Sequence, residues 1–290
     1  MINKKSIKNK IVSFSSIKKI TKAMEMISII KMKKLELKKK KIFPYLDVLK
    51  KITKNLIFLS QIQKQKNIFL FKKKKITKVI IIVVLTSKGL CGSLNNNLFK
   101  FILPYLKNFL SKNISYELII FGKKENNFLS QFKKKIKIYN CNFFKKSFSK
   151  NIFKISNILF KDYKLNFFDK VFIVFNKFFN KITYKPVFKQ LLPIAINIKK
   201  NFYKNNWDYI YESNSMLLLE KVFKKYFKIM IYNSFLENLV SEYSSRTISM
   251  KNASENSSNL IQELQIIYNK ARQDSITQEL TEIISGASVI

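Results

Sequence analysis

Histidine is absent from this chain, and of its 56 basic residues only Arg246 and Arg272 are arginine. The first absence excludes histidine-based acid–base catalysis and most zinc sites. The second argues against a reader of phosphates and base edges, because such proteins exploit arginine's planar fork. Cysteine is nearly missing too: Cys91 and Cys141 stand far apart and outside any CxxC pattern, so a reduced cytosolic chain without a disulfide framework is expected. The longest unbroken aliphatic run, "VIIIVVL" from Val79 to Leu85, is too short to cross a bilayer. The opening "MINKKSIKNK" has no apolar h-region, so no signal peptide is expected. These features describe a soluble protein that could still sit against a membrane.

Acidic residues are also few, 17 against 56 basic ones, leaving a formal charge of +39 over 290 residues. Such a charge first suggests nucleic acid or an anionic membrane. Yet Lys, Asn, Ile and Phe are in excess together, and all have A/T-rich codons. Drift in an A/T-rich genome accounts for that, with a functional basic surface as the alternative. The lysine runs "KLELKKKKIF" and "FKKKKITK" read as solvated faces or loops.

Glycine and proline, four of each, are scarce and unevenly placed. All the prolines and Gly89, Gly92 and Gly122 lie between Pro44 and Pro193, so helix breakers are rare at both ends. From the start to Phe43, Ile7, Ile11, Phe14, Ile17, Ile20, Met24, Ile27 and Ile30 recur every three or four residues, predicting an amphipathic helix. From about Ser213 to Ser285 nothing interrupts a helix that would extend roughly 110 Å at 1.5 Å per residue. The fold class expected is α/β. Residues 1–60 and 210–290 would form a long antiparallel coiled coil, and residues 76–195 a central Rossmann-like domain with a mostly parallel sheet.

That central domain rests on alternation of strand and helix. The β-rich runs are "KVIIIVVLT" (Lys78 to Thr86), "YELIIFG" (Tyr116 to Gly122), "KIKIYN" (Lys135 to Asn140) and "KVFIVFN" (Lys170 to Asn176). Helices are predicted around Leu98 to Leu110, Lys123 to Lys134 and Ser149 to Lys164. "TYKPVFKQLLP" would add an edge strand that tolerates its proline.

The last helix changes face. Leu260, Leu264, Ile267 and Ala271 share one stripe, whereas Ile276, Leu280 and Ile283 fall on the opposite side. A helix that outlasts its partner behaves this way when something outside the chain supplies the apolar surface. Upstream, "SEYSSRTISMKNASENSSN" places small polar residues where a coiled coil prefers Leu or Ile. Close helix approach and a surface that slides past several partners are both open readings.

"TSKGLCGSLNNNLF" (Thr86 to Phe99) follows the first strand and opens a helix. A phosphate could sit at such a helix start, but the spacing fits neither GxGxxG nor GxxxxGK[ST], and a tight turn is the plainer reading. Three segments together carry more: "KITKAMEMISIIKMKK" (Lys19 to Lys34), the glycine loop, and Met250 to Ile290 with "YNKARQDSITQELTEIISG". In order and spacing they resemble the gamma subunit of bacterial F-type ATP synthase, and "NNWDYIYESN" and "FKQLLP" match its connecting region. Residues 126–166 depart most from that pattern.

The resemblance implies a rotor without chemistry of its own, metal or cofactor. Its coiled coil would turn inside a ring of alpha and beta subunits. Its α/β domain would form a foot beside the epsilon subunit on the c-ring, at the cytoplasmic face of the bacterial inner membrane. Carried over residue by residue, Arg272, Gln273, Thr277 and Glu279 would contact the beta subunit, and Arg246 is placed with them. Met24 and Cys91 would lie near an acidic lever of the same subunit, which Lys22, Lys31 and Lys33 could also meet. Tyr211 and Glu212 would touch the c-ring. Each has a plainer alternative: a solvated helix face for the tail, packing for Met24, a structural thiol for Cys91, a surface loop for Tyr211 and Glu212. The competing functions are a lysine-rich nucleic-acid binder, whose affinity would fall steeply with salt, and a nucleotide-dependent enzyme built on the glycine loop. No nucleic acid is expected.

Overall fold

The computed structural model describes residues 4–62, 76–122, 136–139, 148–180, 182–194 and 215–287. The chain forms two compact units, Met32–Ser244 and the pair of segments Met1–Lys31 and Ser245–Ile290. Two long helices, α1 (Lys4–Ile62) and α4 (Ser215–Ala287), contribute residues to both.

In the larger unit, strands β1 (Lys78–Val84), β2 (Ser115–Phe121), β3 (Ile136–Tyr139), β4 (Lys170–Phe178) and β5 (Tyr184–Leu192) form one five-stranded sheet in the order β3-β2-β1-β4-β5. The first four are parallel, and β5 runs antiparallel along β4. Helix α2 (Leu94–Ser111) connects β1 to β2, and α3 (Phe148–Lys164) precedes β4. The expected helix at Lys123 to Lys134 lies outside the described residues, as do Cys141, Tyr211 and Glu212.

Both faces of the sheet are covered. Val79, Ile81, Val83, Leu118, Ile120 and Val174 pack with Leu98, Phe99, Ile102 and Leu106 of α2. Ile80, Ile82, Ile119, Phe121, Ile173 and Phe175 face the other way, onto α3 and the parts of α1 and α4 within this unit. This explains the absence of polar alternation in "VIIIVVL": a strand buried on both sides reads as a continuous apolar run. Edge-on aromatic packing of Phe121 on Phe235, with centroids 4.9 Å apart, ties sheet to α4.

Along α1 the inward positions advance by alternating steps of three and four. They are Ile7, Ile11, Phe14, Thr21, Glu25, Ser28, Met32, Leu35, Lys39, Ile42, Leu46, Leu49, Thr53 and Leu56, with exposed Lys18 completing the series. That period, about 3.5 residues, is the heptad of a coiled coil. In the smaller unit α4 follows the same steps through Met250, Ser254, Ser257, Ile261, Leu264, Tyr268, Ala271 and Ser275. Lys18 Nζ donates to Ser258 Oγ at 3.0 Å in that unit, and Lys39 Nζ reaches Glu237 Oε1 at 2.7 Å in the larger one.

The apolar stripe expected on α1 needs correction. Ile17, Ile20, Ile27 and Ile30 are exposed, and Ile17, Ile20 and Ile27 each fall one residue short of a seam position. Small or polar side chains occupy the seam instead. Their hydroxyls are satisfied within their own helix: Ser28 Oγ donates to the Met24 carbonyl at 2.8 Å, Thr53 to Leu49 at 2.6 Å and Ser257 to Ala253 at 2.7 Å. A serine bonded this way behaves as a compact filler that needs no partner across the seam. Similarly on α4, Leu260 and Ile267 are exposed and Ile261 and Tyr268 turn inward.

Candidate functional site

The tail of α4 is the first place where sequence and exposure coincide. Ser275 is the last inward position, and from Ile276 to Ala287 every residue is exposed. Ile276, Leu280, Ile283 and Ile284 therefore stand in solvent, two of them 68% exposed. Single exposed apolar residues are ordinary, but four within nine positions of one helix form a patch that a partner would cover.

Around this patch lies the polar set. Arg272, Gln273, Thr277 and Glu279 are all exposed. Thr277 Oγ1 donates to the Gln273 carbonyl at 3.0 Å, and Ser275 Oγ donates to Glu279 Oε1 at 3.2 Å. Gln278 and Glu282 form a further pair at 3.0 Å, while Thr281 and Ser285 bond back to the helix backbone. These are local bonds one helical turn long, so the side chains can change partners without unfolding the helix.

The remaining candidates are placed differently. Arg246 is buried at 4% exposure, whereas Arg272 is exposed. Met24 is half-buried beside the seam; Lys22, next to it, pairs with Glu25 Oε2 at 3.0 Å. Lys33 is exposed and Lys31 half-buried.

Cys91 is buried in the glycine loop, with Sγ 3.7 Å from Thr86 Oγ1 and 3.8 Å from the Lys88 carbonyl. Asn95 closes the same loop, receiving the Thr86 N–H at 3.3 Å and donating to Thr86 Oγ1 at 2.8 Å. These bonds of Thr86, Lys88, Cys91 and Asn95 run within the loop, which fits a tight turn. Leu90, at φ 61, takes a left-handed conformation there, as does Gly92 at φ 58.

A family model described as ATP synthase matches residues 3–290. An ATP synthase gamma chain of Buchnera aphidicola subsp. Schlechtendalia chinensis is 46% identical over 295 residues, covering 100% of this chain and 99% of that one. The chain belongs to the ATP synthase gamma family. A second gamma-family relative, from Baumannia cicadellinicola subsp. Homalodisca coagulata, is 38% identical over 290 residues, the full length of both. The fold of this gamma-family chain resembles one in the mitochondrial ATP synthase of Euglena gracilis, with TM-score 0.65 at 19% identity over 99% of this chain and 94% of that one. It also resembles a chain in the central stalk/c-ring structure of the Tetrahymena thermophila mitochondrial ATP synthase, with TM-score 0.56 at 23% identity over 81% of this chain and 99% of that one.

Local sequence had marked the tail and glycine loop. It had not marked the buried cluster of Glu237, Asn238 and Ser241 on α4, all inward-facing. Their signal is faint: polar residues inside "FLENLVSEY", a stretch otherwise apolar enough to be core.

Proposed function

We propose that this gamma-family chain is the central stalk of an F-type ATP synthase and carries no catalytic site of its own. Rotation of the stalk couples ion flow through the membrane sector to ATP synthesis on the head of alpha and beta subunits. The observation that carries this reading is the end of the helix seam at Ser275 with α4 continuing, fully exposed, to Ala287. An apolar tip with an adjacent rim of exchangeable polar groups suits seating in a sleeve made by other chains. A rigid element whose orientation biases alternative states of distant sites is a physical route to such coupling. The α/β unit is the foot, beside the epsilon subunit and c-ring. The complex would sit at the cytoplasmic face of the bacterial inner membrane; among the described residues no helix is long and apolar enough to cross it.

Arg272, Gln273, Thr277 and Glu279 are proposed as contacts with the beta subunit, and Met24 and Cys91 lie toward its lever. The test is co-expression with alpha, beta and epsilon subunits, followed by ATP turnover of the purified complex. Combined replacement of Arg272, Gln273 and Glu279 by alanine lowers assembly or turnover while leaving the helix content of the isolated chain unchanged. Wild-type turnover by that variant removes the case for these contacts. A chain that fails to assemble with the head at all overturns the central-stalk reading.

A further inference from the structure

Strand β4 outlives its inner neighbour. β1 pairs with it from Val79 opposite Lys170 to Val83 opposite Val174, and no further. Past Val84 the chain turns into the glycine loop, while β4 continues to Phe178 with β5 on its outer side. The backbone groups of Asn176 and Phe178 that β1 would have met are left buried or half-buried, and they must find partners.

Helix α4 provides them. Asn238 Oδ1 accepts from the Asn176 N–H at 3.0 Å and from Asn176 Nδ2 at 3.2 Å. Ser241 Oγ lies 3.0 Å from both the Asn176 carbonyl and the Glu237 carbonyl of its own helix, so its one proton is shared between sheet and helix, and Glu237 Oε2 accepts from the Phe178 N–H at 3.2 Å. Three side chains on one face of a helix thus take over the ladder where a strand has stopped. The other carboxylate oxygen, Oε1, holds Lys39 Nζ at 2.7 Å, which draws α1 into the same joint. Because both backbone groups of Asn176 point inward, its pairing with Pro186 on β5 is a non-hydrogen-bonded one. The missing N–H of that proline therefore falls on the free edge of β5, where it costs nothing.

Apolar packing such as Phe121 on Phe235 resists separation of sheet and helix, and hydrogen bonds add a fixed direction to it. Hydrogen bonds in a buried, low-dielectric setting are directional and strong. We propose that Glu237, Asn238 and Ser241 are positioning residues that form the torsional joint between the sheet and α4, holding the foot in a fixed angle to the helix that it turns. The inference rests on the central-stalk reading and adds to it the place where torque enters α4. Asn176 Oδ1 and Asn238 Nδ2, complementary groups on two residues already joined, are both buried without a partner.

The experiment uses the assembled complex, head fixed to a surface and a bead on the sheet unit, and reads the angular spread of the bead during pauses between ATP-driven steps. Asn238→Ala and Ser241→Ala widen that variance by about twofold or more, as loss of a coupling element predicts. The control is Asp169→Asn, which weakens the hydrogen-bonded tie to Thr77 and Lys78 at the opposite end of β4. At a matched fall in unfolding temperature the control leaves the spread at the wild-type value. Unchanged spread in the α4 variants, or equal widening in the control, overturns the joint. If Asn238→Ala fails to fold, the milder Ser241→Ala decides alone. A wild-type complex that assembles but never turns overturns the joint and the central-stalk reading together, whereas a turning complex with an unmoved spread sinks the joint only.

Discussion

Asp169 and Thr77, 92 residues apart, are joined by two hydrogen bonds to one oxygen: Asp169 Oδ2 accepts from the Thr77 N–H at 2.7 Å and from its hydroxyl at 2.9 Å. The same oxygen takes the Lys78 N–H at 3.1 Å, and the Asp169 N–H returns a bond to the Lys78 carbonyl at 2.8 Å. This clasp sets the starting register of β1 against β4. Asp169→Ala leaves those donors without their charged acceptor and is expected to cost about 1–3 kcal/mol, read from the urea midpoint of the isolated chain.

Tyr163 packs beside that clasp. Burial first, and then the negative charge of Asp169, push its hydroxyl from 10.0 to about 12. The unfolded chain ionises at the lower value, so the stability this group contributes is complete below about pH 10 and declines as pH rises toward 12. Tyr163→Phe should flatten the fall in stability across that interval, and urea midpoints of both proteins at several alkaline pH values would check it.

Gly122 ends β2 at φ +138, where a Cβ would come 2.9 Å from Leu85 Cβ and 3.0 Å from the Thr86 carbonyl oxygen. Backbone and neighbour both oppose a side chain. Gly122→Ala is expected to destabilise by about 1–3 kcal/mol, seen as a lower melting temperature in the near-ultraviolet signal of the isolated chain.

The seam inverts the usual rule for helix pairs. Ser257, buried in it, is a filler, so Ser257→Leu overpacks the site and should cost about 1–3 kcal/mol. Ile20 is 59% exposed, so Ile20→Ser should move the stability of the isolated chain by no more than about 0.5 kcal/mol. Helical signal followed through urea unfolding distinguishes the two, and a more stable Ser257→Leu protein would refute this account of the seam.

Much of the architecture is readable from local pattern. Strand identities follow from short β-branched runs between turn residues, and the edge position of β5 from Pro186. The end of α4 follows from the shift of apolar residues to a new face after Ala271. The seam of α1 is not readable by the same means. Selecting isoleucines picks up Ile17, Ile20 and Ile27, each one step off the heptad, because a serine bonded to its own helix carries no hydrophobic signal. The left-handed turn is similar: beside Gly92, the non-glycine Leu90 also adopts a positive φ, which composition does not signal.

Composition and spacing alone determined that the chain has two long helices and an α/β segment between them in sequence, and that the apolar residues of the last turns of α4 leave the stripe upstream of them. These are one-dimensional properties, set by periodicity and by where breakers are missing. Only the tertiary structure decided which polar residues are interior. Glu237, Asn238 and Ser241 are buried because β1 stops short of the end of β4, and a vacancy in a hydrogen-bond ladder exists only once strands of different length lie side by side.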